Sequence, residues 1–349
     1  MTAFYLTIER AQNHFIYLSK FQLSSSLIVN VANVCLSVLF GLYGYLISLL
    51  LNSILQFSIL FKRNKPDWLF ILIKLTDLKK ILFKSIPLMI SGLSFITFKT
   101  IDSVVILNFY GLETLGIYSL AILATSILFG LTNSISVVVF PMIQELIGQK
   151  KELQLTKYTS NAMISASFIL PLVIYPLHCL IHNIVRFYIP DYLSGLEYFD
   201  IILLSSFFYS SINLLINIYT SRNKIFRIIL INIIHILLAI VMAYLSFKFF
   251  KTVKAVVLSI AISQIFYFLT ISIDSLKFIS EKIKIHIYLL NITKPFFLLL
   301  FIAGICNNFI SDYDFKSIVL KITTFIFFYT ILALKIRPEL NLLLYKLNK

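Results

Sequence analysis

Long apolar runs, separated by short polar or charged stretches, make up almost the whole chain. Each run has about the 20 residues that an α-helix needs to cross a bilayer, and the alternating segments of about ten residues typical of membrane barrels do not occur. We therefore predict an all-α polytopic membrane protein with about ten transmembrane helices. The predicted segments are 23–42, 43–61, 82–108, 115–140, 160–184, 198–220, 225–247, 253–273, 286–308 and 315–334.

Glycine and proline mark the breaks in this pattern. The first two segments are separated only by residues 41–44, where Gly41 and Gly44 predict a tight helical hairpin. Pro171, Pro176 and Pro295 fall inside apolar runs. Proline is tolerated there because neighbouring helices satisfy the backbone groups that it leaves free, so we expect kinks at these positions.

Composition excludes several other classes of protein. Hydrophobic residues make up 59% of the 349 residues and charged residues 13%, against about 45–50% and about 25% in soluble domains. Too few polar residues remain to cover such a core in water, which excludes a soluble enzyme, a secreted disulfide scaffold and a disordered protein. Cys35, Cys179 and Cys306 lie in apolar runs without metal-binding spacing.

The net charge of +15 is explained by topology. With alternating helices, 22 of the 30 Lys and Arg residues fall on the side that carries both termini, and five fall on the other side. The positive-inside rule then places both termini in the cytoplasm. Lys248, Lys251 and Lys254 are the main exception, on the outer side. A nucleic-acid partner, the other common meaning of a basic chain, is not expected.

The connection between the second and third segments is basic and partly apolar. It runs from Lys62 to Lys84 and contains the apolar stretch Trp68–Ile73. We predict an amphipathic helix that lies on anionic membrane lipids; the alternative is a plain solvated linker.

Four apolar segments carry polar residues at steps of three, four and seven, which places each set on one helical face. Such a face has two interpretations: hydrogen bonds between packed helices, or the lining of a polar cavity for hydrophilic cargo. The sets are Ser26, Asn30, Asn33 and Ser37; Ser48, Asn52 and Gln56; Ser119, Ser126 and Asn133; and Ser206, Ser210, Asn213 and Asn217.

Ionisable residues inside the predicted spans give sharper candidates. Lys99 and Asp102 share one helical face, and a lone charge there costs about 2.5–3.5 kcal/mol on insertion scales, so a charged neighbour or a wet cavity is expected. The pair either neutralises itself for packing or faces the lumen and contacts an anionic substrate. His235 is either a lumen residue or a hydrogen-bonded packing residue. Lys294 lies within snorkelling reach of the cytoplasm.

Motifs for catalysis and for metal binding are weak. His178 and His182 have the i, i+4 spacing of a metal pair, but the motif offers neither a third ligand nor a carboxylate, so we predict no metal site. Nucleophile elbows, P-loops, dinucleotide fingerprints and HExxH motifs do not occur in the sequence. We therefore expect no catalytic residues and no cofactor. The candidate substrate or lumen residues are Lys99, Asp102, Asn133, Asn213, His235 and Lys294.

One part of the chain carries a more specific pattern. It consists of Ser85–Ser91, with Pro87, then Ile101–Asp102, then Tyr110–Ser119, and further on Phe140–Met142 before a Lys-rich linker. This resembles the Wzx-type polysaccharide or O-antigen flippases of the multidrug/oligosaccharidyl-lipid/polysaccharide exporter superfamily. Their second lobe opens with a "P…S…D" helix, followed by a "G…LG.YS" turn.

The resemblance implies a fold and a function. It implies two helical lobes around a cationic central cavity, in a bacterial cytoplasmic (inner) membrane. It implies that undecaprenyl-diphosphate-linked oligosaccharide, such as an O-antigen, lipopolysaccharide, capsule or exopolysaccharide unit, crosses by alternating access. Lipid-linked oligosaccharide and membrane lipids are then the partners, with a polysaccharide polymerase and glycosyltransferases as further candidates. Asp102 matches the acidic position of the family, whereas Lys99 is a candidate by its chemistry alone.

The helix count departs from the family pattern. Members usually have 12 to 14 helices, and the helix that opens their second lobe is only the third segment here. We expect about four helices of the first lobe to be missing, as in a truncated or inactive product or in a natural partial protein. Residues 1–80 are then the remnant of the first lobe with its basic linker, and residues 81–349 the second lobe and the following helices.

Two further functions remain open. A drug/cation antiporter of the same superfamily would need an acidic cluster in the first lobe. A membrane polysaccharide polymerase would need a large outer loop with catalytic Arg and His residues, whereas the longest outer loop, residues 185–200, contains one Arg and no His.

Overall fold

The computed structural model describes residues 2–12, 14–64, 75–279, 285–309 and 315–336. Helices account for nearly all of these residues, and no strand occurs among them. The helices are α1 (Thr2–Ala11), α2 (Phe15–Asn64), α3 (Leu75–Gly148), α4 (Glu152–Ile169), α5 (Pro171–Tyr188), α6 (Leu196–Ser221), α7 (Ile225–Phe250), α8 (Val253–Ile279), α9 (Ile285–Phe309) and α10 (Phe315–Ile336), with a 3-10 turn at Pro190–Gly195.

Two of these helices are hairpins with a glycine at the bend. The backbone of α2 leaves helical geometry at Gly41 (φ 58°) and that of α3 at Gly111 (φ 85°). Positive φ values of this kind carry no penalty at glycine because it has no Cβ. In each hairpin the two arms contact each other: Asn33 bonds Ser48 in α2, and Asp102 bonds Tyr118 in α3.

The prediction of an all-α polytopic membrane protein is confirmed. Within the described ranges, eight helical stretches are long and apolar enough to cross a membrane, two of them being the long hairpins. All ten predicted segments lie in helices. Many large apolar side chains point outward, such as Val38, which is 80% exposed, as expected for surfaces that lipid covers.

The contacts divide the chain into two compact units, Met1–Leu78 and Lys79–Lys349. In the first unit, α1 packs on α2 through the buried side chains of Tyr5, Phe21 and Leu60. Glu9, also buried, bonds to His14 Nδ1 and Arg63 Nε, each at 2.8 Å. A polar clamp thus fixes the short helix α1 to the far end of α2. That this unit is the remnant of a first lobe stays a prediction.

In the second unit, α6 forms the centre and packs along α8, with α7 against α8. Aromatic side chains fill the core. Phe208 lies 5.5 Å from Phe268 and 4.8 Å from Phe296 between ring centroids, which joins α6 to α8 and α9.

The prolines predicted to kink the helices lie in two kinds of place. Pro171 begins the new helix α5, whereas Pro176 and Pro295 lie inside helices.

One ion pair joins neighbouring helices at each end of α6. Arg222 at the end of α6 pairs with Glu152 at the start of α4. At the opposite ends of the helices, Lys254 Nζ lies 3.1 Å from Glu197 Oε2. Lys254 therefore has an acidic partner on its own side. The assignment of one end to the cytoplasm stays a prediction, and the predicted interfacial stretch Trp68–Ile73 lies outside the described residues.

Candidate functional site

Lys99 and Asp102 share a helix but have different surroundings. Within the described chain, these two side chains form no ion pair with each other. The Lys99 ammonium instead lies 4.9 Å from the centroid of the Phe129 ring on the other arm of the α3 hairpin. A cation over an aromatic face is stabilised by the ring quadrupole. Lys99 is partly exposed, so its charge remains available to a ligand.

Asp102 is buried and lies between the two arms of the α3 hairpin. It accepts hydrogen bonds from the Tyr118 hydroxyl at 2.9 Å and from the Ser103 backbone N–H at 2.7 Å. Because the helix folds back at Gly111, Tyr118 returns to the level of Asp102. The carboxylate therefore satisfies its hydrogen-bonding need through its own hairpin, which identifies it as a tie between the arms.

Asn133 and Asn213 come together between α3 and α6. Asn213 Nδ2 donates to Asn133 Oδ1 at 3.4 Å, and Asn133 is exposed. Asn133 lies one helical turn beyond Phe129, whose ring face contacts the Lys99 ammonium. We call the set Lys99, Phe129, Asn133 and Asn213 the Lys99 strip. It brings together three of the six predicted site residues on a partly exposed face of the second unit.

The polar faces of these two helices also meet on either side of the contact between Asn133 and Asn213. Asn217 Nδ2 donates to Ser136 Oγ at 2.7 Å, and the hydroxyls of Thr125 and Ser206 lie 3.2 Å apart. These contacts form a polar seam between α3 and α6. These hydrogen bonds agree with the interpretation that the polar faces pack helices together, whereas a polar cavity for cargo stays a prediction.

His235 lies in the packed interior between α7 and α8. Its ring is 5.0 Å from that of Tyr267, and its Nδ1 has no hydrogen-bond partner among the residues described. One turn earlier, Asn232 donates to Ser94 Oγ at 2.8 Å and accepts from the Tyr267 hydroxyl at 2.5 Å. His235 thus borders a buried polar network rather than the Lys99 strip.

Lys294 stands apart from the other candidates. It is exposed on α9, and its Nζ donates to Asn291 Oδ1 at 3.2 Å on the same helix. The six predicted residues therefore divide into the strip, two buried positions (Asp102 and His235) and one isolated lysine. Their roles stay predictions.

Two polar clusters were only partly found from the sequence, which singled out His178 and His182 but missed the acidic residue of each cluster. Asp200, at the start of α6, bonds both His178 and His182 of α5, with N···O distances of 2.8 and 2.9 Å. Asp274 of α8 binds Arg227 of α7 and accepts from the Tyr219 hydroxyl of α6 at 2.9 Å. In both clusters the partners lie on different helices, so sequence spacing alone does not connect them.

Comparisons with known proteins match this architecture. A family described as "Polysaccharide biosynthesis protein" matches residues 1–147, and the MatE family matches residues 87–245. Each match covers less than half of the chain, and together they support a polysaccharide or lipid-linked flippase of the multidrug/oligosaccharidyl-lipid/polysaccharide exporter superfamily. The matched families are transporters and flippases, not enzymes.

One solved structure shows the same fold at low sequence identity. "Lipid II flippase MurJ, inward closed conformation" is 18% identical to this chain, with a TM-score of 0.65. The alignment covers 90% of this chain and 67% of the flippase chain. At such identity the likeness establishes the fold alone. No curated protein matches the sequence.

Proposed function

We propose that this protein moves an undecaprenyl-diphosphate-linked oligosaccharide, such as an O-antigen, capsule or exopolysaccharide repeat unit, across the cytoplasmic membrane by alternating access. The observation that carries the proposal is the match of residues 1–147 to the polysaccharide biosynthesis family. The fold supports it, because a solved structure with this fold is named a lipid II flippase, whose cargo is also lipid-linked.

The chemistry of the Lys99 strip supports a cargo of this kind. A lysine ammonium is a compact charge that binds phosphate oxygens. The amides of Asn133 and Asn213 offer both donors and acceptors, which suit sugar hydroxyls. Phe129 holds the ammonium in place through its ring face. One strip thus provides a contact for the diphosphate and contacts for the sugar.

The other predicted residues take supporting roles in this proposal. Asp102 positions the arm that carries Lys99, through its hydrogen bond to Tyr118. His235 borders the network of Asn232 and Tyr267, which packs α7 and α8 against α3. Lys294, exposed on α9, is a second cation for the phosphate groups or for lipid headgroups.

Complementation of a flippase-null strain tests the proposal. The wild-type chain is expected to restore surface polysaccharide. Lys99→Ala is expected to lower it by about tenfold or more, since a hydrogen bond to a charged group contributes about 1.5–3 kcal/mol. Lys99→Arg keeps the cation and should retain most of the activity. Lys335→Ala removes an exposed lysine at the end of α10 and serves as the matched control.

The outcomes separate the function from the site. Wild-type chain that reaches the membrane but restores no polysaccharide would contradict the proposed function. Restoration by Lys99→Ala at the wild-type level, with equal amounts in the membrane, would contradict the role of Lys99 only. Immunoblots of membrane fractions supply the normalisation for both comparisons.

The match to the MatE family favours a second candidate, a drug/cation antiporter of the same superfamily. A changed drug sensitivity on deletion or overexpression, with unchanged polysaccharide, would favour the antiporter. Unchanged drug sensitivity together with lost polysaccharide would favour the flippase.

A further inference from the structure

The end of the α5–α6 pair carries a cluster of two histidines and one aspartate. His178 and His182 lie one turn apart on α5, with ring centroids separated by 4.3 Å. Asp200 lies on the first turns of α6, after the 3-10 turn. One ligand atom from each of the three side chains lies within 4.8 Å of the others. The cluster shares no residue with the Lys99 strip.

The donor set suits a divalent transition metal. Neutral imidazole nitrogen and carboxylate oxygen are the usual ligands of Zn²⁺, at about 2.0–2.2 Å, and sites with three protein ligands leave a fourth position open. Two tetrahedral ligands then lie about 3.3–3.5 Å apart. Asp200 lies 2.8 Å from His178 Nδ1 and 2.9 Å from His182 Nε2, which are hydrogen-bond distances. A metal would replace the protons in these bonds after small side-chain rotations.

The cluster is accessible from outside. The side chains of His178, His182 and Asp200 are 31%, 16% and 35% exposed, so an ion can reach them without unfolding. Both histidines line a cavity of about 360 Å³ together with Asn183 and Arg186 of α5, Asn307 of α9 and Lys321 of α10. This cavity gives an incoming ion room for a water or an anion as its remaining ligand.

A second observation points to a ligand in the same cavity. Asn183 is buried, and its Nδ2 donates to the Cys179 carbonyl at 2.6 Å. Its Oδ1 is a buried acceptor without a hydrogen-bond donor in the part of the chain that the structure describes. An unpaired buried acceptor is costly. A metal-bound water is a strong hydrogen-bond donor, and one that reached this oxygen would meet that need.

We infer that His178, His182 and Asp200 form a binding site for one Zn²⁺-class divalent transition metal, with the fourth position open to the Asn183 cavity. The ion would join α5 to α6 across the turn at Pro190–Gly195. The inference is independent of the proposed transport function, because it rests only on these side chains and the cavity beside them.

Metal binding to the purified full chain tests the inference. The protein is prepared in detergent without a polyhistidine tag, stripped with EDTA and titrated with Co²⁺, whose visible d–d absorption reports tetrahedral coordination. Zn²⁺ then competes for the site, and elemental analysis after desalting gives the stoichiometry. One metal ion per chain is expected.

Variants identify the ligands. We expect a large loss of metal affinity in each of three variants: His178→Ala, His182→Ala and Asp200→Asn. Removing a residue that only hydrogen-bonds a metal ligand weakens binding by ~10–100-fold, and loss of a ligand itself should weaken it more. The matched controls are His286→Ala and Asp191→Asn, which remove an exposed histidine of α9 and an exposed aspartate of the 3-10 turn and should leave binding unchanged. Size-exclusion chromatography identifies variants that fail to fold. If the alanine variants fail to fold, Asp200→Asn, the most conservative change, still tests the site.

Two outcomes would overturn the inference. One is a wild-type protein that binds no Co²⁺ or Zn²⁺ after stripping. The other is equal metal stoichiometry and affinity in wild type and in a folded Asp200→Asn or His178→Ala/His182→Ala variant, which would locate the bound metal elsewhere.

Discussion

The Tyr118 hydroxyl donates a hydrogen bond of 2.9 Å to Asp102 Oδ2 across the two arms of the α3 hairpin. Both residues are buried, so neither has water as an alternative partner. A buried polar group that loses its partner costs about 1–3 kcal/mol. The contact therefore stabilises the fold of α3 whatever else Asp102 does.

This relationship predicts an order of stabilities for variants of the pair. Tyr118→Phe and Asp102→Leu each remove the hydrogen bond, and we expect them to lower stability by about 1–3 kcal/mol. Asp102→Asn keeps an acceptor oxygen for Tyr118 and should stay close to wild type. Thermal unfolding in detergent measures the order. Asp102→Asn as unstable as Asp102→Leu would contradict the tie and indicate that the charge itself is needed.

The hairpin bends explain which contacts the sequence could have predicted. Asp102 and Tyr118 are each eight positions from Tyr110, next to the bend at Gly111. Equal distances from a bend place residues at the same level on neighbouring antiparallel helices. The sequence marked Asp102 as a costly intramembrane charge, and this counting rule would have added its partner. The spacing along the helix points instead to Lys99, three residues away on the same arm.

The bend at Gly111 gives a second prediction. Its φ of 85° and ψ of −177° lie in a region of backbone space that is essentially restricted to glycine. We expect Gly111→Ala to destabilise the protein by about 1–3 kcal/mol through backbone strain alone, because a Cβ there would meet no atom within 4 Å.

Gly116→Ala is the matched control for this strain. Gly116 lies in a regular part of the same helix, and a Cβ there also meets nothing within 4 Å. Alanine favours a helix over glycine by about 1 kcal/mol, so this variant should be neutral or more stable. Equal unfolding temperatures for the two variants would contradict the strain at Gly111.

The sequence could predict only part of the candidate site. Periodicity identified the polar faces of the first, second, fourth and sixth predicted spans, and the pairing of Asn133 with Asn213 joins two of them. Periodicity describes one helix at a time, however, and cannot tell which helices are neighbours. Asp200 shows this limit. His182 and Asp200 are each nine positions from Asp191, in the turn between α5 and α6, so the fold brings them together. The i, i+4 spacing of the two histidines describes only α5 and does not point to Asp200.

The polar seam between α3 and α6 gives a third prediction. Ser136 is buried and accepts a hydrogen bond of 2.7 Å from Asn217. Interhelical hydrogen bonds of this kind contribute about 0.6 kcal/mol on average in membrane proteins, and at most about 1.7 kcal/mol. We expect a double-mutant cycle of Ser136→Ala and Asn217→Leu to give a coupling in this range.

The exposed residue Ser134 supplies the control for the cycle. Its hydroxyl bonds to the Gly130 carbonyl of its own helix at 3.0 Å, so Ser134→Ala should show no coupling to Asn217→Leu. A coupling energy near zero for the Ser136 cycle would contradict the seam, and an equal coupling for Ser134 would show that the effect is not specific to the hydrogen bond.

The clamp around Glu9 in the first unit gives the last prediction. Burial raises the pKa of this carboxyl, but the hydrogen bonds from His14 and Arg63 outweigh burial and leave the pKa lowered from 4.5. A lowered pKa means that the carboxylate stabilises the fold at neutral pH, and that this contribution is lost as the pH falls through the lowered value. Glu9→Gln removes it at every pH.

We therefore expect Glu9→Gln to loosen α1 from α2 at pH 7, which hydrogen exchange of the α1 amides would detect as lost protection. Arg63→Gln should act in the same direction, because it removes one of the two donors to the same carboxylate. Lys62→Gln removes an exposed cation next to Arg63 and is the matched control, with unchanged exchange expected. Unaltered α1 protection in Glu9→Gln would mean that the apolar contacts of Tyr5, Phe21 and Leu60 hold this helix without the clamp.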